Sequence, residues 1–413
     1  MQDAGKILVA SQFYPPDAST TAAYIAAIAE AFAVDNPVLV LSGSANSATE
    51  RRDGKPEVVE IRSFTPQKDA LIRRAIAISL LALKMFLSTL KRARRNDIVF
   101  CVTTPFTVPY AVVLAAKLRG AATALLIYDL YPEALEKTGL IKPTSLTARL
   151  IRVANTRLFR ALDAIITIGR DVAPLLLAYK EVTAAKINLI PNWTLLPVGY
   201  HEPAPTNPFR GGNSSDLVVG LSGNLGFTHS PRTVFAAARL LQNNAGIHFL
   251  LSGWGIGWKE LADLQAAEKL GNVTMREPVP QNRLADFLSA ADVWVIPYLR
   301  NIAGVSIPSR LYNHLAVGRA VIVAAEPHSE AALVVNEDKI GWVVPPENPQ
   351  ALVHAILLAA ADREATAQMG RRAAHAAEKY GQDSALRRYR EVVLGLRRNG
   401  PGPSPSASPS PSQ

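Results

Sequence analysis

Residues Ile307-Pro-Ser-Arg-Leu-Tyr-Asn-His-Leu-Ala-Val-Gly-Arg-Ala-Val-Ile322 read as an irregular turn, a short helix and a strand in immediate succession. The turn holding Pro308, Ser309 and Arg310 runs into the helix, Gly318 stops it, and the apolar run 320–325 follows as a buried strand. The N–H groups of a helix's first turn lack intrahelical partners and carry a partial positive charge, so this turn is a ready phosphate site. Arg310 sits there with the wrong sign for the helix dipole. It is either a second ligand for an anion or an ordinary surface cation, and the rest of the chain has to separate the two.

Outward from that stretch the same unit repeats. In the first half, strands are expected at residues 6–10, 38–42, 58–62, 98–102, 123–128, 164–168 and 187–190, with helical patterns between them. The helix after the first strand should cover residues 20–33, capped by Ser19 or Thr20. Residues 194–215 are rich in Pro, Gly, Asn and Ser and read as a linker. The alternation then restarts, with strands expected at 217–222, 248–252, 273–276, 293–297, 320–325 and 341–344. Strands alternating with helices predict an α/β chain of two doubly wound parallel-sheet domains facing across a cleft. The expected units are a first domain over 1–193, a linker over 194–215, a second domain over 216–382 and a last helix over 383–398. The Pro/Ser-rich tail 399–413 cannot build a packed core.

The chain has 413 residues, too many for one core. Its net charge of +10 is uneven, with 24 Lys and Arg against 16 Asp and Glu in residues 1–190. The first half therefore faces something anionic or has a plainly basic surface. A lone cysteine, Cys101, excludes an intramolecular disulfide and fits a reducing compartment. The apolar stretch 7–10 is too short for a signal-peptide core, and no uncharged apolar run reaches 18 residues. The expected location is the cytosol, peripheral to the inner face of the membrane.

In open parallel sheets, ligands bind at the carboxyl ends of the strands. In the second half, Gly223, Asn224 and Gly226 follow one strand, where backbone can approach a ligand closely or make a plain turn. Gly253 opens Gly253-Trp-Gly-Ile-Gly257, whose third glycine comes one residue early for a dinucleotide fingerprint. Glu330, past a third strand, would hold ribose or sugar hydroxyls, or serve its own helix dipole. In the first half, Asp129 ends a buried strand with Glu133 four residues on. The two carboxylates would hydrogen-bond an attacking hydroxyl or take its proton, unless Asp129 merely caps the turn before Pro132. No Asp-x-Asp pair, His cluster, Cys cluster or Walker lysine loop is present, so neither a metal clamp nor ATP phosphoryl transfer is indicated.

Residues 71–96 form an apolar helical pattern in which Arg73, Lys84, Lys91 and Arg95 recur at intervals of 11, 7 and 4 residues. At roughly 100° per residue they make a narrow cationic stripe, with Ile76, Leu80, Leu83 and Leu87 on a separate apolar face. Such a helix either lies against anionic headgroups or packs on the sheet with a solvated basic face. No recognition motif accompanies the charge, so nucleic acid is not an expected partner.

Taken together, Tyr14-Pro15, Asp129-Leu-Tyr-Pro-Glu133, Ile190-Pro-Asn-Trp193, Ser222-Gly-Asn-Leu-Gly226, Pro308-Ser-Arg-Leu-Tyr-Asn-His-Leu-Ala-Val-Gly318 and Gly341-Trp-Val-Val-Pro-Pro346 resemble GT-B glycosyltransferases of family 4. The similarity is to bacterial enzymes of O-antigen and exopolysaccharide assembly, of the colanic-acid type, and spans about residues 6–396. It implies retaining transfer from a nucleoside-diphosphate sugar, UDP first, to a polyprenyl-diphosphate-linked saccharide, with no metal or other cofactor. The second domain would hold the donor, with Ser309 and Arg310 on the diphosphate and the 223–226 loop beside it. The last helix would cross back to the first domain. Family 4 places two glutamates around this turn, and here they fall on Val305 and Asn313. Asn313 can still bond ribose; Val305 cannot replace a carboxylate. The Arg/Lys pair of many members is also missing, with Asn224 and His229 in that region. A transferase with a soluble acceptor and a degenerate scaffold stay open as alternatives.

Overall fold

A computed structural model of the chain describes residues 5–50, 52–62, 71–201, 206–210, 213, 215–306 and 309–397. Ile307, Pro308 and the Pro/Ser-rich tail lie outside these residues. The strands of the first half are β1 (Ile7–Ser11), β2 (Val38–Ser42), β3 (Glu57–Glu60), β4 (Ile98–Val102), β5 (Ala122–Ile127), β6 (Ala164–Thr167) and β7 (Ile187–Leu189). They form one parallel sheet in the order β3-β2-β1-β4-β5-β6-β7. The second half adds β8 (Leu217–Asn224), β9 (Ile247–Trp254), β10 (Val273–Arg276), β11 (Val293–Pro297), β12 (Ala320–Ala324) and β13 (Gly341–Val344). Their order, β10-β9-β8-β11-β12-β13, repeats the same doubly wound plan, again all parallel. Strands covered on both faces have no polar side to show, which is why β1, β2, β4, β11 and β12 are buried along their whole length.

The helices of the first half are α1 (Thr20–Ala33), α2 (Leu71–Arg92), α3 (Val108–Leu118), α4 (Glu133–Lys137), α5 (Leu146–Ala161) and α6 (Ala173–Leu177). Those of the second are α7 (Pro231–Leu240), α8 (Ile256–Glu268), α9 (Leu284–Leu288), α10 (Ser309–Ala316), α11 (Glu330–Asp338), α12 (Pro349–Ala361), α13 (Arg363–Ala377) and α14 (Gln382–Gly395). Several starts follow from capping side chains. Ser19 Oγ accepts from the N–H of Ala22, Ser145 Oγ from that of Ala148 and Ser329 Oγ from that of Ala332. Each such cap is worth about 1 kcal/mol.

One face of the first sheet is covered by α2, α3, α5 and α6, through Leu81, Met85, Val112, Ala116, Leu158 and Leu176. The other face packs on α1 and on α14, whose Tyr389 and Val393 join Phe32, Phe100 and Trp193 in one apolar cluster. Arg390 bonds the Ala31 carbonyl and Asp35, and Arg397 bonds Asn36 Oδ1 at 2.7 Å. The last helix thus lies against the first sheet's α1 layer. Between the halves, the loops after β5, β6, β11 and β12 meet. Ala134, Tyr131 and Leu175 of the first half pack with Ile302 and Val305 of the second. The carboxyl edges of the two sheets therefore face one another.

One sequence expectation changes here. Helix α2 ends at Arg92, because Asp97 Oδ2 takes the N–H of Arg94 and turns the chain, so Arg95 lies beyond the helix. Moreover, Ala77, Leu81 and Met85 supply the buried face of α2. Ile76, Leu80, Leu83 and Leu87 stay between 40% and 57% exposed.

Candidate active site

Arg310 organises the carboxyl edge of the second sheet. From the first turn of α10 it donates Nη1 to the Ser222 carbonyl at 2.6 Å and Nη2 to the Asn224 carbonyl. Gly223 lies between these two residues at φ +93°, and a Cβ there would sit 3.5 Å from the guanidinium carbon. The left-handed backbone at this position, not a want of space beside the guanidinium, is what calls for glycine. Burial lowers the guanidinium to about 10, with the Tyr298 hydroxyl opposing the fall, so it stays cationic at neutral pH. Carbonyl oxygens accept its hydrogen bonds without cancelling its charge. Among the described residues no carboxylate forms an ion pair with Arg310, so its charge is not neutralised locally.

The neighbouring groups stitch this loop to the turn before α10. The His229 ring stacks on Tyr298 with centroids 5.1 Å apart. Thr228 Oγ1 lies 3.2 Å from His229 Nδ1 and 3.1 Å from Ser306 Oγ. Burial, then the Arg310 charge, holds the imidazole well below its ordinary 6.5, so it is neutral. Ser309 is the first residue of α10 and Asn224 is exposed at the end of β8. Asn313 Oδ1 accepts from the N–H of Leu195 at 3.3 Å and lies 3.5 Å from Thr194 Oγ1, which ties the segment after Trp193 to this helix.

Two donor-side expectations are corrected. Glu330 is 3% exposed, and both its oxygens are taken by Arg170, at 2.9 Å from Nε and 3.2 Å from Nη2. Its carboxylate joins the two halves and is not available for ribose. Gly253 is buried, and a Cβ on it would lie 2.5 Å from the Gly223 carbonyl oxygen. It serves the close approach of β8 and β9 and touches no open space. Val305, at 2% exposure, stands in an apolar cluster with Ala134 and Ile302, where an unpaired carboxylate would be costly.

Across the junction, the Tyr128 and Asp129 N–H groups both donate to Thr103 Oγ1, at 3.0 and 3.1 Å, which fixes the bend after β5. Asp129 lines a small pocket of about 20 Å³ with Thr103, Phe106, Tyr110, Tyr131 and Asn155. Burial pushes its carboxyl up to about 6, into the range useful for general-base work near pH 7. Glu133 differs, and its pairing with Asp129 is corrected. Its Oε1 accepts from Tyr179 Oη at 2.7 Å and lies 4.0 Å from Arg152 Nε. Asn155 extends this network, donating to Tyr179 Oη at 3.0 Å and the Tyr131 carbonyl at 2.6 Å. The Glu133 carboxylate is a fixed part of that network, although burial raises its pKa too.

The sequence reading missed Arg170 and Asp171 altogether. Nothing in Gly169-Arg-Asp-Val172 marks it as chemistry, and only the packing of the halves brings it to the donor loops.

Comparison with known proteins follows the same division. Residues 19–193 match the model of the glycosyl transferase 4-like domain, and residues 206–376 match that of glycosyl transferases group 1. The chain is 25% identical over 292 residues to the probable glycosyltransferase WbjE of Pseudomonas aeruginosa, covering 70% of this chain and 72% of that one. It is 27% identical over 318 residues to the putative colanic acid biosynthesis glycosyl transferase WcaI of Escherichia coli strain K12, covering 74% and 77%. Among solved structures, Anabaena HepE in complex with UDP superposes with a TM-score of 0.63 at 16% identity, over 95% of this chain and 100% of that one. With both halves matched in order and the two sheets of a GT-B enzyme around the cleft, the chain belongs to the glycosyltransferases, group 1 in its second half and 4-like in its first.

Proposed function

We propose that the chain transfers a sugar, with retention of anomeric configuration, from a nucleoside-diphosphate donor to a polyprenyl-diphosphate-linked saccharide at an anionic membrane surface. The observation that carries the donor half is the unneutralised guanidinium of Arg310, clamped at the end of β8 beside the first turn of α10. Breaking a glycosyl–phosphate bond leaves an oxocarbenium-like centre and a diphosphate with new charge. Arg310 and the N–H groups of α10 would stabilise that charge, Gly223, Asn224, Gly226 and Ser309 would border it, and Asn313 would face the ribose. The solved complex of HepE with UDP makes UDP the first nucleotide to try. The resemblance to family 4 supports retention and a reaction that needs no metal. Asp129 would orient or deprotonate the acceptor hydroxyl from the opposite side.

The acceptor half rests on the similarity to a colanic acid biosynthesis transferase and on one surface. Helices α2, α3 and α5 cover the same face of the first sheet. Leu80 and Leu83 on α2, Leu114 and Leu118 on α3 and Leu150 and Val153 on α5 point their apolar side chains at solvent. Exposed Arg73, Lys91 and Arg95, with half-buried Lys84, flank this surface, although Lys84 Nζ also donates to the Arg62 carbonyl at 2.7 Å. Apolar side chains with a cationic rim suit an anionic bilayer better than water. No described helix is long and apolar enough to cross a membrane.

Calorimetric titration with UDP, GDP and dTDP in the presence of a chelator tests the donor reading. Selective micromolar binding of one of them is expected. Absence of binding in folded protein would favour a scaffold without turnover.

A further inference from the structure

The loops carrying the donor turn are held from the opposite half of the molecule. Asp171, 9% exposed, uses one oxygen, Oδ2, to accept from the N–H of Gly304 at 2.9 Å and from the N–H of Glu330 at 3.0 Å. Gly304 belongs to the loop after β11 and Glu330 to the start of α11 after β12, so one carboxylate spans two neighbouring strand ends. Arg170 fastens the same junction. Its backbone N–H and Nε reach Glu330 Oε2 at 2.8 and 2.9 Å, and its Nη1 reaches Glu337 at 2.8 and 3.0 Å.

The fit is close enough to specify residues. Gly304 has φ +81°, and a Cβ there would lie 2.4 Å from the Asp171 carbonyl oxygen and 2.7 Å from Leu175 Cδ1. On either side of it, Ile302 and Val305 pack with Ala134 and Leu175 of the first half. Ser306 follows at once with its link to Thr228, and Arg310 lies four residues further on. The chain from 302 to 306 is thus fixed at one end by the first half and at the other by the donor loop. Val305 leaves this turn without a carboxylate of its own, and the carboxylate on the preceding residue's amide comes from across the junction. As a pure fastening it is an expensive choice, because Asp171 Oδ1 is buried without a partner among the described residues.

We infer that Asp171 is a positioning residue for glycosyl transfer: it sets the 302–306 segment, and through Ser306 the Thr228 end of the donor loop, in register with the donor only while the two halves are closed, so that stabilisation of the leaving diphosphate depends on closure of the cleft. This rests on the donor reading above. When the halves part, the Gly304 and Glu330 N–H groups go to water and the turn loses its fixed end. Closure then does more than exclude water; it completes the group that receives the developing charge.

The test uses the full chain, with Asp171→Ala and Asp171→Asn compared by kcat, KM for the nucleotide sugar, and calorimetric Kd for the nucleoside diphosphate alone. Wild-type titration comes first. If no nucleoside diphosphate binds, the donor reading fails and this one with it; normal binding means that any later failure belongs to Asp171 alone. Asp171→Ala should lower kcat about tenfold or more, with Kd for the diphosphate nearly unchanged. Asp171→Asn, whose amide oxygen still accepts from both N–H groups, should recover most of the rate. Gly304→Ala, which wedges the junction from the other side, should reproduce the kcat loss. That variant decides the matter if Asp171→Ala fails to fold. Wild-type kcat in Asp171→Ala or Gly304→Ala overturns the inference. So does tighter diphosphate binding in Asp171→Ala, which would make the carboxylate a competitor of the donor.

Discussion

Arg310 shows what a single wrong-signed residue can reveal. A cation in a helix's first turn opposes the dipole, and the sequence marked it on that ground alone; the structure adds that its two bonds go to carbonyls and leave the charge intact. Arg310→Ala should weaken binding of the preferred nucleoside diphosphate about 10- to 100-fold, since hydrogen bonds to a charged group are worth roughly 1.5–3 kcal/mol. Arg310→Lys should fall between, because a lysine keeps the charge but cannot clamp two carbonyls at once. Calorimetry on the three proteins checks the order. Asp129 was legible for a similar reason, as a carboxylate at the end of an apolar strand, whereas Glu133 and Glu330 looked equivalent to it and were not. Their partners, Tyr179 and Arg170, lie 46 and 160 positions away, and no local pattern announces them. The Asp129 carboxyl titrates near 6 because burial disfavours its charge. If it is the base, kcat/KM should fall as pH drops through about 6, and Asp129→Asn should remove that limb together with most of the rate. The stability effect has the opposite sign. A folded-state pKa raised above the unfolded value means that stability is lost as pH rises from about 4 to 6. Asp129→Asn should therefore melt higher than wild type at pH 7, by on the order of 1–3 kcal/mol of stability.

At the scale of the element, α2 was legible as a helix and illegible as a surface. Its apolar residues spread over more of the helix than one face needs, so periodicity could separate the cations from the leucines without saying which leucines face the sheet. The decision falls to packing. Ala77, Leu81 and Met85 go inward against the sheet and α3, while Ile76, Leu80, Leu83 and Leu87, of similar size, are left outside, so position on the helix and not side-chain bulk divides them. Its end was also misread, since the 4-residue step from Lys91 to Arg95 mimics one more helical turn that Asp97 cuts off. The surface that results makes a prediction with two separable parts. Replacing Arg73, Lys84, Lys91 and Arg95 by Ala should abolish sedimentation with anionic vesicles, at roughly 1 kcal/mol per cation, and leave weak binding to neutral ones. Replacing Leu80 and Leu83 by Ser should weaken binding to both kinds of vesicle and leave folding intact, because neither side chain is part of the core. Undiminished cosedimentation in either variant would remove the membrane from the proposal.

For the whole molecule, the two-sheet plan followed from strand–helix alternation because each βα unit is encoded locally, in apolar runs and in caps such as Ser19 and Ser329. How the halves meet is not encoded locally. The junction depends on Arg170, Asp171, Glu330 and Glu337, residues that read in sequence as ordinary charges at helix ends. Its energetics can be isolated from its catalytic consequences. Glu330 is almost fully enclosed and Arg170 only partly, so removing the arginine leaves a buried carboxylate with a single long-range partner lost and no solvent to replace it. A broken buried pair typically costs 3–5 kcal/mol, and the partial exposure of Arg170 argues for about 2–3 kcal/mol here. Arg170→Ala should accordingly lower the melting temperature clearly. Glu330→Gln should cost less, since the neutral amide needs no counter-charge, and the double variant should be no worse than Arg170→Ala alone. That pattern, measured by calorimetry as a double-mutant cycle, would assign the loss to the stranded carboxylate. Simple additivity of the two single losses would mean that the pair contributes nothing as a pair, and that the halves are held by the apolar contacts of Ile302 and Val305 with Ala134 and Leu175 instead.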